Sequence, residues 1–481
     1  MIARLQVLTE RLERSPARLL IRVLFITTAI TFTLLPFVRF LHSGTDMDYR
    51  PWFYAGQTVL RGGELYPHTQ NFPFMYPPTC ALLLAAPAFF GKPALILILS
   101  SLNTMAWILC IRFSSTLISE HRAQNAPIVI ANFIVIPFVW SSYHLGQPSL
   151  VLLALMLGAF LSLLHGQEIL AGALVALAVA IKAFPLLAIF YFVYRRYWTA
   201  AISLVIALVI LLFLLPIPFR GWHQTLNDAR DWQRGMLHYE QGGIAQRPER
   251  GYTWKNQSIF GLTNRLLRRV SVDEAPNPPA YANVADLDFR TVNIVIIASA
   301  LLLGFSFVAA MPRQRAPEGD AREFAALLSL ILIFTPLTFG YLFVWLMFPL
   351  ALLIKRSLEI PASLIWLLIA LALLTATGIA PPGTNLWQPI FRRSHTLSRA
   401  RDRSSARAKF NREIIFVQAR VAPKSCLRLT AAQSLGARPG QSASPERMTS
   451  WTSPARDPET RSGLPALAVF FVHAQLFRRR S

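Results

Sequence analysis

Cysteine is nearly absent from this chain. Of 481 residues only Cys80, Cys110 and Cys426 are cysteine. They stand far apart, two of them inside apolar runs, so neither a disulfide framework nor a cysteine metal site is legible. Charge is scarce too: 15% of residues are Asp, Glu, Lys or Arg, against about 25% in a soluble domain. Acids are the rarer sign, 24 against 47 Lys and Arg. Equally missing are a P-loop, a GxGxxG after a strand, an HExxH and a GxSxG. Those absences leave ATP-driven transport, a nicotinamide enzyme and a zincin without support. No metal and no cofactor is called for.

What the chain has is apolar residues, 54% of the total, gathered in long blocks. Several blocks approach or exceed the ~20 residues that cross a bilayer, more than one soluble core absorbs. The expected fold is therefore all-α, a polytopic integral membrane bundle of about 9 to 11 transmembrane or re-entrant helices. The net charge of +23 reads as basic cytoplasmic loops facing anionic lipid rather than as a nucleic-acid surface.

The first apolar run, Leu19–Leu41, follows Arg4, Arg11, Arg14 and Arg18. It is long enough to span and no A-x-A site follows it, so it reads as an uncleaved first helix with a cytoplasmic N-terminus. Two polar loops, 42–77 and 218–288, interrupt the later runs and are expected on the external face. Topology leaves two versions open. If Pro78–Phe90 spans, His144 is cytoplasmic. If that run is re-entrant, His144 is external and the helix around Lys182–Pro185 is broken. The second is favoured, because it puts His144 and Lys182 on the side of the first loop. Residues 1–390 form the expected membrane domain. Residues 391–481 read as a basic, low-complexity tail, either natural and disordered or the product of a frameshift. From Arg392 on, that tail has 18 Lys and Arg against 5 Asp and Glu, so it holds 13 of the 23 net charges.

Four segments carry polar residues where chemistry is plausible. The first loop opens with Asp46 and Asp48, carboxylates at the mouth of a membrane cavity that suit a general base for a hydroxyl; the plainer reading is solvated loop acids. The aromatic stretch after them, including Tyr54 and closed by Gly62-Gly63, suits a helix in the membrane interface. SYHLGQPSL places His144 and Gln147 between two apolar runs, either as hydrogen-bonding groups for phosphate or sugar or as a polar turn. Lys182 stands inside ALAVAIKAFPLLAIF, where an ammonium is costly and marks a functional site unless it snorkels. In WKNQSIFGLTNRLL, Asn256, Gln257 and Ser258 are candidates for binding hydroxyls and Arg265 for holding an anion, against a basic surface helix.

In this order the pieces resemble glycosyltransferase family 87. The motifs are Asp48-Tyr49, Phe53-Tyr54-Ala55-Gly56, Gly63-Glu64-Leu65-Tyr66, Tyr76-Pro77-Pro78, Gly146-Gln147, then Ala171-Gly172 through Ile181-Lys182-Ala183-Phe184-Pro185, and Asn256-Gln257-Ser258. The resemblance covers roughly Leu19 to Ala380. It implies a GT-C-like bundle in the cell membrane that moves a hexose, mannose by analogy, from a polyprenyl-phosphate donor to a lipid or glycan acceptor with inversion. It implies Asp48 as the base, Asp46 as the reserve, and Lys182 or the basic loop residues beside the departing phosphate. Tyr54, Tyr66, Tyr76, His144, Gln147, Asn256, Gln257, Ser258 and Arg265 then line the substrates. The chain departs from the family at Gly340 and Tyr341, where relatives often have histidine. The alternatives are a flippase or transporter of a lipid-linked sugar and a non-catalytic scaffold. No internal repeat favours a transporter, and tolerance of Asn at position 48 discriminates a scaffold.

Overall fold

Uncharged runs of Leu, Ile, Val, Ala and Phe leave the backbone few ways to satisfy its N–H and C=O groups in lipid, and the helix is the local one. The computed structural model describes residues 15–67, 74–118, 126–237, 252–272, 281–312 and 317–378. They contain helices and no strand, and all fall in the first of the chain's two units, Met1–Arg407. The expected tail at 391–481 lies outside the described residues.

The helices, in chain order, are α1 (Ser15–Ser43), α2 (Tyr49–Leu60), α3 (Pro78–Phe89), α4 (Lys92–Ile118), α5 (Ala126–Leu145), α6 (Ser149–Leu164), α7 (Glu168–Ile181) and α8 (Ala188–Tyr194). Then come α9 (Trp198–Val209), α10 (Trp222–Leu237), α11 (Ile259–Leu267), α12 (Phe289–Ala310), α13 (Pro317–Phe334), α14 (Met347–Glu359) and α15 (Leu364–Gly378). Helix α9 runs on through a π turn, Ile210–Leu214, and a 3-10 stretch, Gly340–Leu346, leads into α14. Among the described residues six helical stretches are long and apolar enough to cross a membrane: Pro16–Ser43, Lys92–Ile118, Ala126–Leu145, Trp198–Arg220, Phe289–Ala310 and Gly340–Glu359.

Contacts between helix ends sort the bundle into a loop end and a far end. Helix α4 starts at the loop end, where Lys92 pairs with Asp46 at 2.8 Å. It finishes at the far end, where Lys355 of α14 donates to the Ile118 carbonyl at 3.0 Å. Helix α5 comes back, bringing His144 to Arg39. Helices α6 and α7 form a hairpin whose open end carries Gln147 and Lys182. Helix α8 leads away to Arg195, which pairs with Glu323 of α13. Helix α9 returns, and Arg220 beyond it donates to the Gly63 carbonyl at 2.8 Å. Helix α3 begins beside Tyr76 and ends beside Lys92, so it returns to the end it left. The described residues of loop 42–77 and those around Arg220 and Trp232 therefore share one end, tied again by the Trp232 indole on the Met75 carbonyl.

The α6–α7 hairpin is short. Its helices have 16 and 14 residues, about 24 and 21 Å at 1.5 Å per residue, against a hydrocarbon core of about 30 Å. Each of the two helices is thus shorter than the hydrocarbon core is thick. Helix α7 stops at Ile181 because Pro185 lacks an N–H and its ring would meet the carbonyl one turn back. Lys182 follows in extended backbone, and a 3-10 turn at Phe184–Leu187 restarts the helix as α8.

Lipid tails are as apolar as leucine, so close contact between small residues replaces hydrophobic driving force here. Helices α7 and α9 meet through the buried residues Ala171, Gly172, Ala200 and Ala201. A Cβ at Gly172 would stand 2.3 Å from the Ala200 carbonyl oxygen. Gly56 does the same between α2 and α3, where a Cβ would stand 2.6 Å from the Leu84 carbonyl oxygen.

Candidate active site

The site assembles where α2, α3, the α5–α6 turn and the α7 break meet. Asp48 is the N-cap residue of α2, yet its side chain caps no backbone N–H. It accepts a hydrogen bond from Gln147 Nε2 at 2.7 Å. The carbonyl oxygen of the same amide accepts from the Tyr76 hydroxyl at 3.2 Å and from Lys182 Nζ at 3.5 Å. One buried amide therefore joins the acid to the ammonium. With an amide N–O separation of about 2.3 Å, the carboxylate and the ammonium lie at most about 8 to 9 Å apart.

Each partner is held from behind. The Gly146 turn has φ +73°, a backbone that glycine adopts freely. A Cβ there would stand 2.9 Å from the Tyr49 ring. Tyr49 plugs this turn, its hydroxyl donating to the Tyr143 carbonyl at 2.8 Å and meeting Ser100 Oγ at 3.1 Å. Burial pushes the Tyr49 phenol up to about 12, against a smaller opposing effect of the Ser100 bond, so it stays a neutral donor. Asn103 donates to the Gln147 carbonyl at 3.1 Å, while its own side-chain oxygen is buried without a partner among the described residues. The Lys182 ammonium sits over aromatic faces: Tyr341 at 4.9 Å, Tyr76 at 5.5 Å and Phe184 at 5.9 Å. Such faces attract a cation, and the Tyr341 hydroxyl lies 3.5 Å from Nζ.

The two first-loop acids part company at Met47. Its φ of 41° is unusual for a residue with a side chain, and it lets the neighbours diverge. Asp48 reaches Gln147, whereas Asp46 pairs with Lys92. Lys92 in turn lies over the rings of Phe53 and Tyr54, at 5.4 and 5.3 Å. Tyr54 is exposed. Tyr66 is buried and donates to the Tyr76 carbonyl at 2.6 Å; burial, with the nearby Asp228 charge second, pushes its phenol up. Trp52 backs Tyr76 with ring centroids 4.3 Å apart, and its buried indole N–H has no partner among the described residues. His144 faces the other way, toward α1: its Nδ1 lies 3.0 Å from an Arg39 guanidinium nitrogen.

Asn256, Gln257, Ser258 and Arg265 form a second cluster that grips the chain before Tyr341. Asn256 Nδ2 donates to the Pro336 carbonyl at 2.9 Å, and its Oδ1 accepts from Thr338 N at 2.9 Å and Ser258 N at 3.1 Å. Ser258 donates to the Pro336 carbonyl and caps α11 by accepting from Gly261 N at 3.1 Å. Gln257 exchanges its backbone N–H with the Thr338 carbonyl at 2.8 Å and turns its side chain onto Trp254. Arg265 is buried on the carbonyls of Thr253 and Asn256, both at 2.6 Å. Burial brings its guanidinium down to about 10, which leaves it charged at neutral pH. All four side chains bond to backbone; those of Asn256 and Ser258, with the backbone N–H of Gln257, hold the 336–338 strap that leads to Tyr341 beside Lys182.

Of the residues singled out in the sequence, the structure brings together Asp48, Tyr76, Gln147 and Lys182, with Tyr66 directly behind. Asp46 and Tyr54 lie together at Lys92, His144 stands at Arg39, and the NQS cluster acts through the strap. Sequence reasoning passed over Asn103, Lys92 and Arg39, and had Tyr49 only as the aromatic residue of the Asp48-Tyr49 motif. Lys92 opens a long span beside a Gly-Lys-Pro turn, and Arg39 is a lone charge at the end of the first one, so both had a signal. Asn103 had none beyond being polar in apolar surroundings. No group of three or more His, Cys, Asp or Glu that would hold a metal occurs among the described residues.

No curated protein matches the chain, and no solved structure matches it. The model of one family does, glycosyltransferase family 87, over residues 74–337. That stretch includes Tyr76, His144, Gln147, Lys182 and the NQS cluster, while Asp48 precedes it and Tyr341 follows it. A helical membrane bundle with an acid joined to a lysine at the end of a short hairpin, and a family match across more than half of its length, make this chain a membrane glycosyltransferase that belongs to glycosyltransferase family 87.

Proposed function

We propose that the chain transfers a hexose, mannose by family analogy, from a polyprenyl-phosphate carrier to a hydroxyl of a lipid or glycan acceptor, with inversion, on the external face of the cell membrane. Asp48 takes the acceptor's hydroxyl proton. The acceptor oxygen bonds to the anomeric carbon as the bond from that carbon to the phosphate oxygen breaks. The phosphate leaves with the electron pair, and Lys182 faces the charge that develops on it. Gln147 holds the carboxylate toward the acceptor and Lys182 toward the phosphate. The observation that carries the reading is the Asp48–Gln147–Lys182 connection, with 2.7 Å and 3.5 Å contacts across a single amide. A base for the acceptor hydroxyl and a cation for the leaving phosphate are what a single displacement needs, and one amide holds both groups within about 9 Å of each other.

The external assignment rests on charge. Arg195, Arg196, Lys355 and Arg356 gather at the far end, as cytoplasmic turns do, which leaves the loop end outside. Asp46, held by Lys92, serves the shape of the first loop, and Tyr54, exposed on α2, faces the acceptor side.

The test is sugar transfer in membranes that contain the chain, supplied with labelled polyprenyl-phosphate mannose and total lipid acceptor, beside Asp48→Asn at equal expression. Loss of at least about a hundredfold is expected for the variant, the usual contribution of a general base. Equal transfer by both forms overturns the role of Asp48. Carrier flipping without transfer by the wild type overturns the enzyme reading in favour of a flippase.

A further inference from the structure

We propose that Arg39 and His144 form a lipid-facing seat for the phosphate of the carrier lipid, on the outer side of the bundle between α1 and α5. The proposal rests on the donor named above and adds the place where that donor lands before it reaches Lys182.

The pair's hydrogen-bond logic is one-sided. A guanidinium only donates, so the 3.0 Å contact from Arg39 requires His144 Nδ1 to be the acceptor. The imidazole is then the neutral tautomer with its proton on Nε2. Both groups thus keep N–H donors that this contact does not use, and one of them bears a fixed positive charge. Among the described residues Arg39 has no ion pair with any carboxylate. Planar guanidinium donors fit phosphate oxygens in pairs. An anion completes a guanidinium that has only a neutral partner better than a neutral oxygen does.

Position adds the lipid half. Arg39 is exposed in the last turns of α1. The same helix leaves Leu34, Leu35, Val38 and Leu41 exposed, as a lipid-facing surface does. On the α5 side, the ring of Trp140 lies 5.6 Å from His144 and 5.1 Å from Phe32 of α1. An isoprenoid chain lying along these apolar side chains ends with its phosphate at Arg39. The seat adjoins the reaction centre. His144 and Gln147 are three residues apart, so their Cα atoms lie within about 11 Å, and Gln147 touches both Asp48 and Lys182.

The experiment is photo-crosslinking of a benzophenone-bearing polyprenyl phosphate to the purified full chain in phosphatidylcholine nanodiscs. It is carried out on wild type, Arg39→Gln, Arg39→Lys and Asp48→Asn, with crosslinked peptides read by mass spectrometry and transfer kinetics measured in parallel. Expected are crosslinks to peptides of α1 and α5 that excess polyprenyl phosphate removes and polyprenol does not. Arg39→Gln weakens capture about tenfold or more, the effect of losing one charge-assisted contact; Arg39→Lys restores part of it, and Asp48→Asn leaves it intact. Arg39→Gln also raises the KM for donor with little change in kcat. Crosslinking that is unaffected in Arg39→Gln, or competed equally by polyprenol, overturns the seat. Equal competition by phosphatidylglycerol overturns it in favour of a general anionic-lipid contact. Capture at Arg39 with no transfer by wild type would sink the glycosyl-transfer reading alone, whereas transfer with an unchanged KM in Arg39→Gln would sink the seat alone.

Discussion

Replacing Gln147 by Leu tests whether the acid and the ammonium act as one unit. The two side chains are similar in size, so the buried position stays filled and the perturbation is chemical. The carboxylate of Asp48 loses its 2.7 Å donor, and Lys182 and Tyr76 lose the oxygen that they share. A hydrogen bond to a charged group contributes about 1.5 to 3 kcal/mol. The Lys182 contact, at 3.5 Å, is at the outer limit of a hydrogen bond, so the Asp48 contact dominates. A loss of about 2 kcal/mol in transition-state stabilisation lowers kcat/KM about thirtyfold. The assay is initial-rate transfer from labelled donor in membranes matched for expression, for wild type, Gln147→Leu, Asp48→Asn and the double variant. Where Gln147 works by holding the base, its removal in the Asp48→Asn background costs less than about threefold, because the group that it positions is gone. Additive losses refute the reasoning, as does a Gln147→Leu enzyme with wild-type kcat/KM.

Asp46→Asn separates the two acids. It removes a partly exposed ion pair with Lys92, worth at most about 1 kcal/mol, so transfer stays within a few-fold of wild type while detergent-solubilised protein unfolds slightly earlier; a loss as large as that of Asp48→Asn contradicts the assignment. Asn256→Ala strips the acceptor from the buried N–H groups of Thr338 and Ser258, and leaves the Pro336 carbonyl with the Ser258 hydroxyl alone. Each buried group left unpaired costs about 1 to 3 kcal/mol, so thermal stability in detergent falls clearly, and an unchanged melting temperature refutes a strap role.

The fold was legible where composition alone decides it. Apolar blocks dictate helices, and Pro185 after Lys182 dictates a break. The motif glycines were legible as a pattern but not as a cause: Gly172 and Gly56 stand where two helices touch backbone to backbone, a relation between residues far apart in the chain. The site was legible as a set of polar residues in apolar surroundings. Which of them meet was not, because that depends on how a short hairpin and a returning helix bring residues 48, 147 and 182 to one point. Local sequence marks Asp46 and Asp48 alike; the positive φ of Met47 between them decides that one faces Lys92 and the other Gln147.

The same distinction explains why the NQS motif serves shape. A residue that contacts substrate keeps hydrogen-bonding capacity in reserve, since its partner is absent until the substrate binds. Asn256 uses both ends of its amide, donating to Pro336 and accepting from Ser258 and Thr338, and Arg265 is buried on carbonyls. Asp48 and Lys182 are bound far more loosely, through a single amide and through aromatic faces, and Arg39 has one neutral partner. Charged groups left with capacity in an apolar bundle are costly unless something else completes them. On the proposed function their partners are of two kinds, a hydroxyl for the carboxylate and a phosphate for the cations, and sugar transfer joins the two in one reaction.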